Sequence, residues 1–224
     1  MRNRRSGLRG RLASPTRRPL AIFLPLTLVL LSARPADGQD GRVAEGDALI
    51  AAAEKAFKAG EIDRAISLLR RALKLHEESL GSANSRVGME LHFLAYFLEV
   101  KGETSEAESL YRRAVAVRKQ VHGRESLEYA LSLHKLAEAR QALGALDKSE
   151  ADFREVVPIF AKVVGTDHPR YAICLDNFAN LLYERGEHSK AEPLLRRALE
   201  VNRSVFGDKD PATATSMFNL GLVY

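Results

Sequence analysis

Glycines stand at Gly60, Gly102, Gly144 and Gly186, each 42 residues from the next, and a second column at Gly81, Gly123, Gly165 and Gly207 follows the first at a constant offset of 21. A spacing held through four copies without insertion marks a stacked repeat architecture, in which no unit buries its apolar face alone. The text between the columns agrees: FKAGEIDRAISLLRRALKL (57–75) returns as YERGEHSKAEPLLRRALEV (183–201).

Within each unit the apolar residues have helical period, and the two glycines divide them into two helices, A and B. In the fourth unit the sequence predicts an N-cap near Asp167, with Pro169 in the first turn, where its missing N–H costs nothing. Helix A then runs to about Arg185 and closes at Gly186, a residue free to take the left-handed conformation. Helix B, from about Ser189 to Phe206, turns Ala191, Leu194, Leu195, Ala198, Leu199 and Val201 inward and leaves Arg196, Arg197 and Glu200 to water. A column of small residues, Ala65, Ala107, Ser149 and Ala191, sits where a bulkier side chain would force the two helices apart. Unit boundaries fall at about 47–84, 85–126, 127–168 and 169–210, with a partial unit at 211–224 and a flexible lead-in at 39–46.

The layout L-x-x-L-A-x-x-Y, then glycine, then A…A-L is similar to the tetratricopeptide repeat, in the 42-residue form of kinesin light chains. The strongest match is CLDNFANLLYERGEHSKAEPLLRRALEVNRSVFGDKDPATATSMFNLGLVY, Cys174 to Tyr224, with "HP" at His168 and Pro169 and "DP" at Asp210 and Pro211. The resemblance covers roughly residues 45–224 and implies an all-α solenoid: a right-handed superhelix of stacked antiparallel helix pairs, four repeats and a truncated fifth. Two departures carry expectations. ANSRV and ESLEY replace the HP start at two units, so ordinary Asn and Ser caps are expected there. Helix B of the third unit, SEADFREVVPIFAKVVG, has Asp152 at an apolar position and Pro158 in mid-helix, where a kink or break is expected. Tyr224 falls in mid-helix behind the apolar face MFNLGLVY, unlike a polar capping repeat, so truncation is favoured over a terminal cap. A region beyond Tyr224 would have room for a catalytic domain.

The net charge of +5 is concentrated at one end: residues 1–38 hold eight Arg against Asp37 alone, while the remainder carries 26 basic and 28 acidic side chains. The balance argues against a nucleic-acid partner. The Arg-rich start, the apolar run PLAIFLPLTLVLLSA (Pro19 to Ala33) and the following small residues read as a signal peptide of residues 1–38, cleaved after Gly38, for export to a periplasm or the exterior. The alternative is a membrane anchor at 19–33, but this run is short of the roughly 20 residues that span a bilayer. TRRPLA (Thr16 to Ala21) only loosely resembles the twin-arginine motif. Membrane contact is expected only if this segment stays attached. Cys174 is the sole cysteine, so no internal disulfide is available and the residue reads as a small core side chain.

No phosphate-cradling loop, nucleophile signature or zinc-binding helix motif is present, so the reading is non-enzymatic, without cofactor or small-molecule substrate. The resemblance places a ligand groove on the A helices, where one column reads Phe93, Lys135, Asn177 and Asn219 and another Tyr96, Glu138, Asn180 and Leu222. Asn177 and Asn219 match the family asparagine that grips a peptide backbone, an amide offering both donor and acceptor. Asn180, with Phe93, Tyr96 and Tyr183, completes the expected contact set, and Lys135 is expected to read an acidic group on the ligand. His92, His134 and Asp176 form a third column of metal-ligand types, but helices 8 to 10 Å apart would keep Asp176 from joining His92, so the histidines are expected to line the groove. The function expected is a scaffold binding a protein or peptide segment, the alternative being the recognition arm of a larger protease- or kinase-type enzyme.

Overall fold

A computed structural model describes residues 40–224; the expected signal peptide and Gln39 lie outside the described residues. The described residues form nine helices and no strand: α1 (Asp40–Lys58), α2 (Ile62–Leu80), α3 (Ser85–Lys101), α4 (Thr104–His122), α5 (Leu127–Ala142), α6 (Leu146–Val163), α7 (Pro169–Glu184), α8 (His188–Phe206) and α9 (Pro211–Val223). They divide into two compact units, the first holding α1 to α6 and the second, Val164–Tyr224, holding α7 to α9.

The first glycine column makes the turn from each A helix to its B helix. Gly60, Gly102, Gly144 and Gly186 have φ of 80°, 94°, 76° and 78°. Just beyond them, the N–H groups of Glu61, Glu103, Ala145 and Glu187 reach back to the carbonyls of Ala56, Leu98, Arg140 and Leu182 at 2.8 to 2.9 Å. That backward bond satisfies carbonyls the helix end would leave orphaned, and it requires the left-handed residue between. Helix starts follow local chemistry. The side chains of Asn84, Ser126 and Asp210 accept from the N–H of Arg86 (2.9 Å), Tyr129 (3.2 Å) and Ala212 (2.7 Å). In α7 the cap is His168, whose Nδ1 accepts from Arg170 N–H at 3.0 Å, not the expected Asp167, which pairs instead with Arg197 at 2.6 Å.

In the first unit the A helices meet one another, as in the stacked rings of Phe57 and Phe97 (4.2 Å), and the B helices meet in turn, as in Arg70–Glu106 and Arg113–Glu77. Leu69, Leu91, Phe97, Tyr111, Phe153 and Phe160 are fully buried between the layers, each such side chain contributing about 1.5–3 kcal/mol. Ala65, Ala107 and Ser149 are closed to solvent where the helices approach, and Ser149 Oγ donates to the Ala137 carbonyl at 2.8 Å, which satisfies the hydroxyl. In the second unit Ala179, Leu182, Ala191 and Leu195 form the core.

Two expectations are corrected. The lead-in at 39–46 is helical from Asp40, because Val43 is buried and its carbonyl takes a hydrogen bond from buried His76. Pro158 does not break α6, which runs through it; Pro158 and Arg154, whose carbonyl loses its donor, are both exposed residues on the solvent side of the helix. Asp152 is equally at home: it is buried and paired with Arg140 at 2.7 Å.

Candidate functional site

On α3 and α5 the spacing of three to four residues places Phe93, Tyr96 and Glu99, and then Lys135 and Glu138, on one helical face. The structure brings the last four together. Lys135 Nζ lies 2.6 Å from Glu138 and 3.6 Å from Glu99, and 5.7 Å from the centre of the Tyr96 ring. Glu99 also accepts from the Tyr111 hydroxyl at 2.8 Å, and His134 Nε2 stands 3.4 Å from Glu138. The side chains of Glu99, Lys135 and Glu138 keep 30%, 20% and 14% exposure, so the group is sheltered but open at its outer side. Burial pushes the Glu99 carboxyl up, helped by the neighbouring Glu138 and opposed by Lys135. Burial would raise Glu138 too, but Lys135 and His134 hold it below its ordinary value. The same two carboxylates overcome burial and keep Lys135 firmly protonated. Lys135 therefore does not present the unmatched cation expected of a reader of acidic groups; its charge is already met.

The three-residue column of His92, His134 and Asp176 divides among separate partners. His92 Nδ1 meets Ser132 Oγ at 3.1 Å with its ring edge-on to Phe93 and Tyr111. His134, 8% exposed, stands edge-on to Phe153 and Phe160. Among the described residues no group of three or more His, Cys, Asp or Glu side chains could hold a metal ion. Cys174 is buried.

In the second unit Asn177 and Asn219 are 4% and 1% exposed, which leaves little of either amide for a peptide backbone to reach. Asn180 is half-buried, with its Oδ1 lacking a hydrogen-bond partner, and half-buried Tyr183 packs edge-on against His188 at 4.9 Å. Beneath them Asp176, 1% exposed, accepts from Ser216 Oγ at 3.0 Å through one oxygen while the other has no partner. Burial pushes this carboxyl up to about 7 against the pull of the Ser216 bond.

Sequence reading missed a buried polar relay that obeys the same register. Arg118 donates to Ser132 Oγ (3.0 Å), and the same hydroxyl is hydrogen-bonded to His92 Nδ1 (3.1 Å). In the second unit, 84 positions on, Asn202 donates to Ser216 Oγ (2.9 Å), which donates to Asp176. The first copy of the column is the fully buried pair His76 and Glu90, joined Nδ1 to carboxylate, with His76 Nε2 on the Val43 carbonyl at 3.1 Å. Burial alone would lower His76, but Glu90 raises it above its ordinary value; burial raises Glu90. The signal was the spacing of polar residues at 76, 118 and 202 against 90, 132 and 216.

A tetratricopeptide repeat family model matches residues 89–160 and 130–204, together just over half of the chain. A putative kinesin light chain of nearly identical TPR-like repeats from Podosopora anserina superposes with a TM-score of 0.71 at 22% identity, covering 83% of this chain and 87% of that one; a single-substitution variant of the same protein gives 0.72. BtubC (BKLC) from P. vanneervenii superposes with a TM-score of 0.62 at 21% identity, covering 84% of each chain. At these identities the likeness shows the fold alone. No curated protein matches the chain in sequence.

Proposed function

The chain belongs to the tetratricopeptide repeat family, and from that membership we propose that it is a protein-interaction scaffold, holding an extended segment of a partner protein against the exposed side of its A helices. The fold generally serves as a non-catalytic interaction scaffold. The observation that carries the reading is the group on α3 and α5: aromatic and charged side chains at repeat register, packed against the core on one side and partly open to solvent on the other. Phe93, Tyr96 and Lys135 make the contact in the first unit, with His92 and His134 packed beneath. In the second unit, taken by itself, Asn180 and Tyr183 are the half-buried side chains of the same register, and Asn177 and Asn219 are buried. An extended ligand would be gripped through its peptide groups and by stacking on the aromatic rings.

A displayed library of random peptides panned against the chain tests this. Enriched peptides should lose binding on Tyr96→Ala and keep it on Arg113→Ala, a B-helix control whose side chain is exposed. Loss on the control with retention on Tyr96→Ala would place the ligand elsewhere. Export belongs to the same reading: the basic start and apolar run direct the chain out of the cytoplasm, and the mature protein should begin at Gln39. Among the described residues no helix is long and apolar enough to cross a membrane. N-terminal sequencing decides; an intact residue 1–38 segment on the membrane-bound protein would favour an anchor at 19–33.

A further inference from the structure

The charge balance of the α3–α5 face says what kind of side chain it can take. Two carboxylates, Glu99 and Glu138, share the single ammonium of Lys135, and that ammonium is closest to Glu138. Glu99 is the less compensated of the two: its cation is 3.6 Å away, its other partner is the neutral Tyr111 hydroxyl, and it is the more exposed carboxylate. The Tyr96 ring stands in the same group, its face already turned to a cation. An incoming carboxylate would meet net negative charge and a saturated lysine. An incoming ammonium or guanidinium would meet an undercompensated carboxylate beside an aromatic ring, two attractions that act together.

Resting on the groove reading above, we propose that the ligand segment carries a basic side chain, arginine or lysine, which seats against Glu99 beside the ring of Tyr96. The proposal reverses the expectation that Lys135 selects an acidic ligand, because the carboxylates that hold Lys135 cannot be seen in a single column of the sequence.

The test uses the whole chain and a series of synthetic fluorescent peptides of about twelve residues, ~40 Å when extended, identical but for a central Arg, Lys, Gln or Glu. Fluorescence anisotropy should show the Arg and Lys peptides binding about tenfold more tightly than the Gln and Glu peptides, the joint effect of one ion pair and one cation–aromatic contact. The isosteric Glu99→Gln variant, still able to accept from Tyr111, should erase that difference while circular dichroism and melting stay as in the parent. Equal binding of all four peptides, or preference for Glu, overturns the basic-ligand proposal and leaves the groove standing. Preference for Arg that survives Glu99→Gln also overturns it, since the cation then sits elsewhere. Failure of all four to bind removes the groove reading and this proposal together.

Discussion

Single residues carry two testable consequences. Gly102 has φ 94° and ψ 4°, and a Cβ added there would meet nothing within 4 Å, so Gly102→Ala isolates the backbone cost of the left-handed conformation. Urea unfolding should show a loss of about 1 kcal/mol without change in fold. Asp176 gives a pH dependence of determined sign. Its native pKa is pushed up to about 7, whereas the unfolded carboxyl titrates near 3.9. Across that window the native state holds a proton that the unfolded chain has released. The contribution of Asp176 therefore falls as pH rises, by roughly 1.4 kcal/mol per unit, and is fully lost above the native pKa. Asp176→Asn should flatten that fall, leaving the variant near parental stability at pH 4 and more stable at pH 8; parallel profiles for both proteins would contradict the assignment. The glycine was legible from its spacing. The aspartate was not, because its buried state depends on Ser216 and Asn202, whose polarity looks unremarkable until the 42-residue register is applied to polar residues as well as apolar ones.

At the scale of elements, helix boundaries were readable wherever one residue decides them: glycine turns, the Asn84 and Ser126 caps, and proline starts. What failed was judgement of polar or helix-breaking residues by type alone. Asp152 is buried because Arg140 answers it, and Pro158 stands on the exposed side of a helix that runs through it. Pro158→Ala should restore the bond to the Arg154 carbonyl and stabilise the chain by on the order of 1–3 kcal/mol, read from the same urea unfolding. Residues 39–46 read as a flexible lead-in between the expected signal peptide and the first repeat, yet α1 is fixed to α2 and α3 through His76, Asp47 and Arg86. Gly46 lies directly against the His76 ring, with no room for a Cβ. Gly46→Ala should therefore loosen α1: hydrogen exchange across 40–58 should accelerate while α4 to α6 keep their protection. Unchanged exchange there would show that the histidine is not what fastens the helix.

For the whole molecule, the repeat family was legible because its signature is a distance rather than a composition, and composition alone misled: the basic pI belongs to the first 38 residues, not to the repeats. Less of the binding face was legible. The sequence located its helices and its register, but it valued Lys135, Asn177 and Asn219 by what their side chains offer when unengaged, while packing commits the lysine to two carboxylates and buries both amides. The face proposed for a partner carries, on α3 and α5, aromatic rings and two carboxylates around one ammonium. The most direct measurement is photo-crosslinking of the full chain, carrying a benzophenone amino acid at position 93 or, as a B-helix control, at position 113, to peptides enriched from the random library. A groove scaffold predicts covalent capture from position 93, competed by unlabelled peptide, with none from position 113. Capture from position 113 alone would contradict it and move the interaction to the B helices.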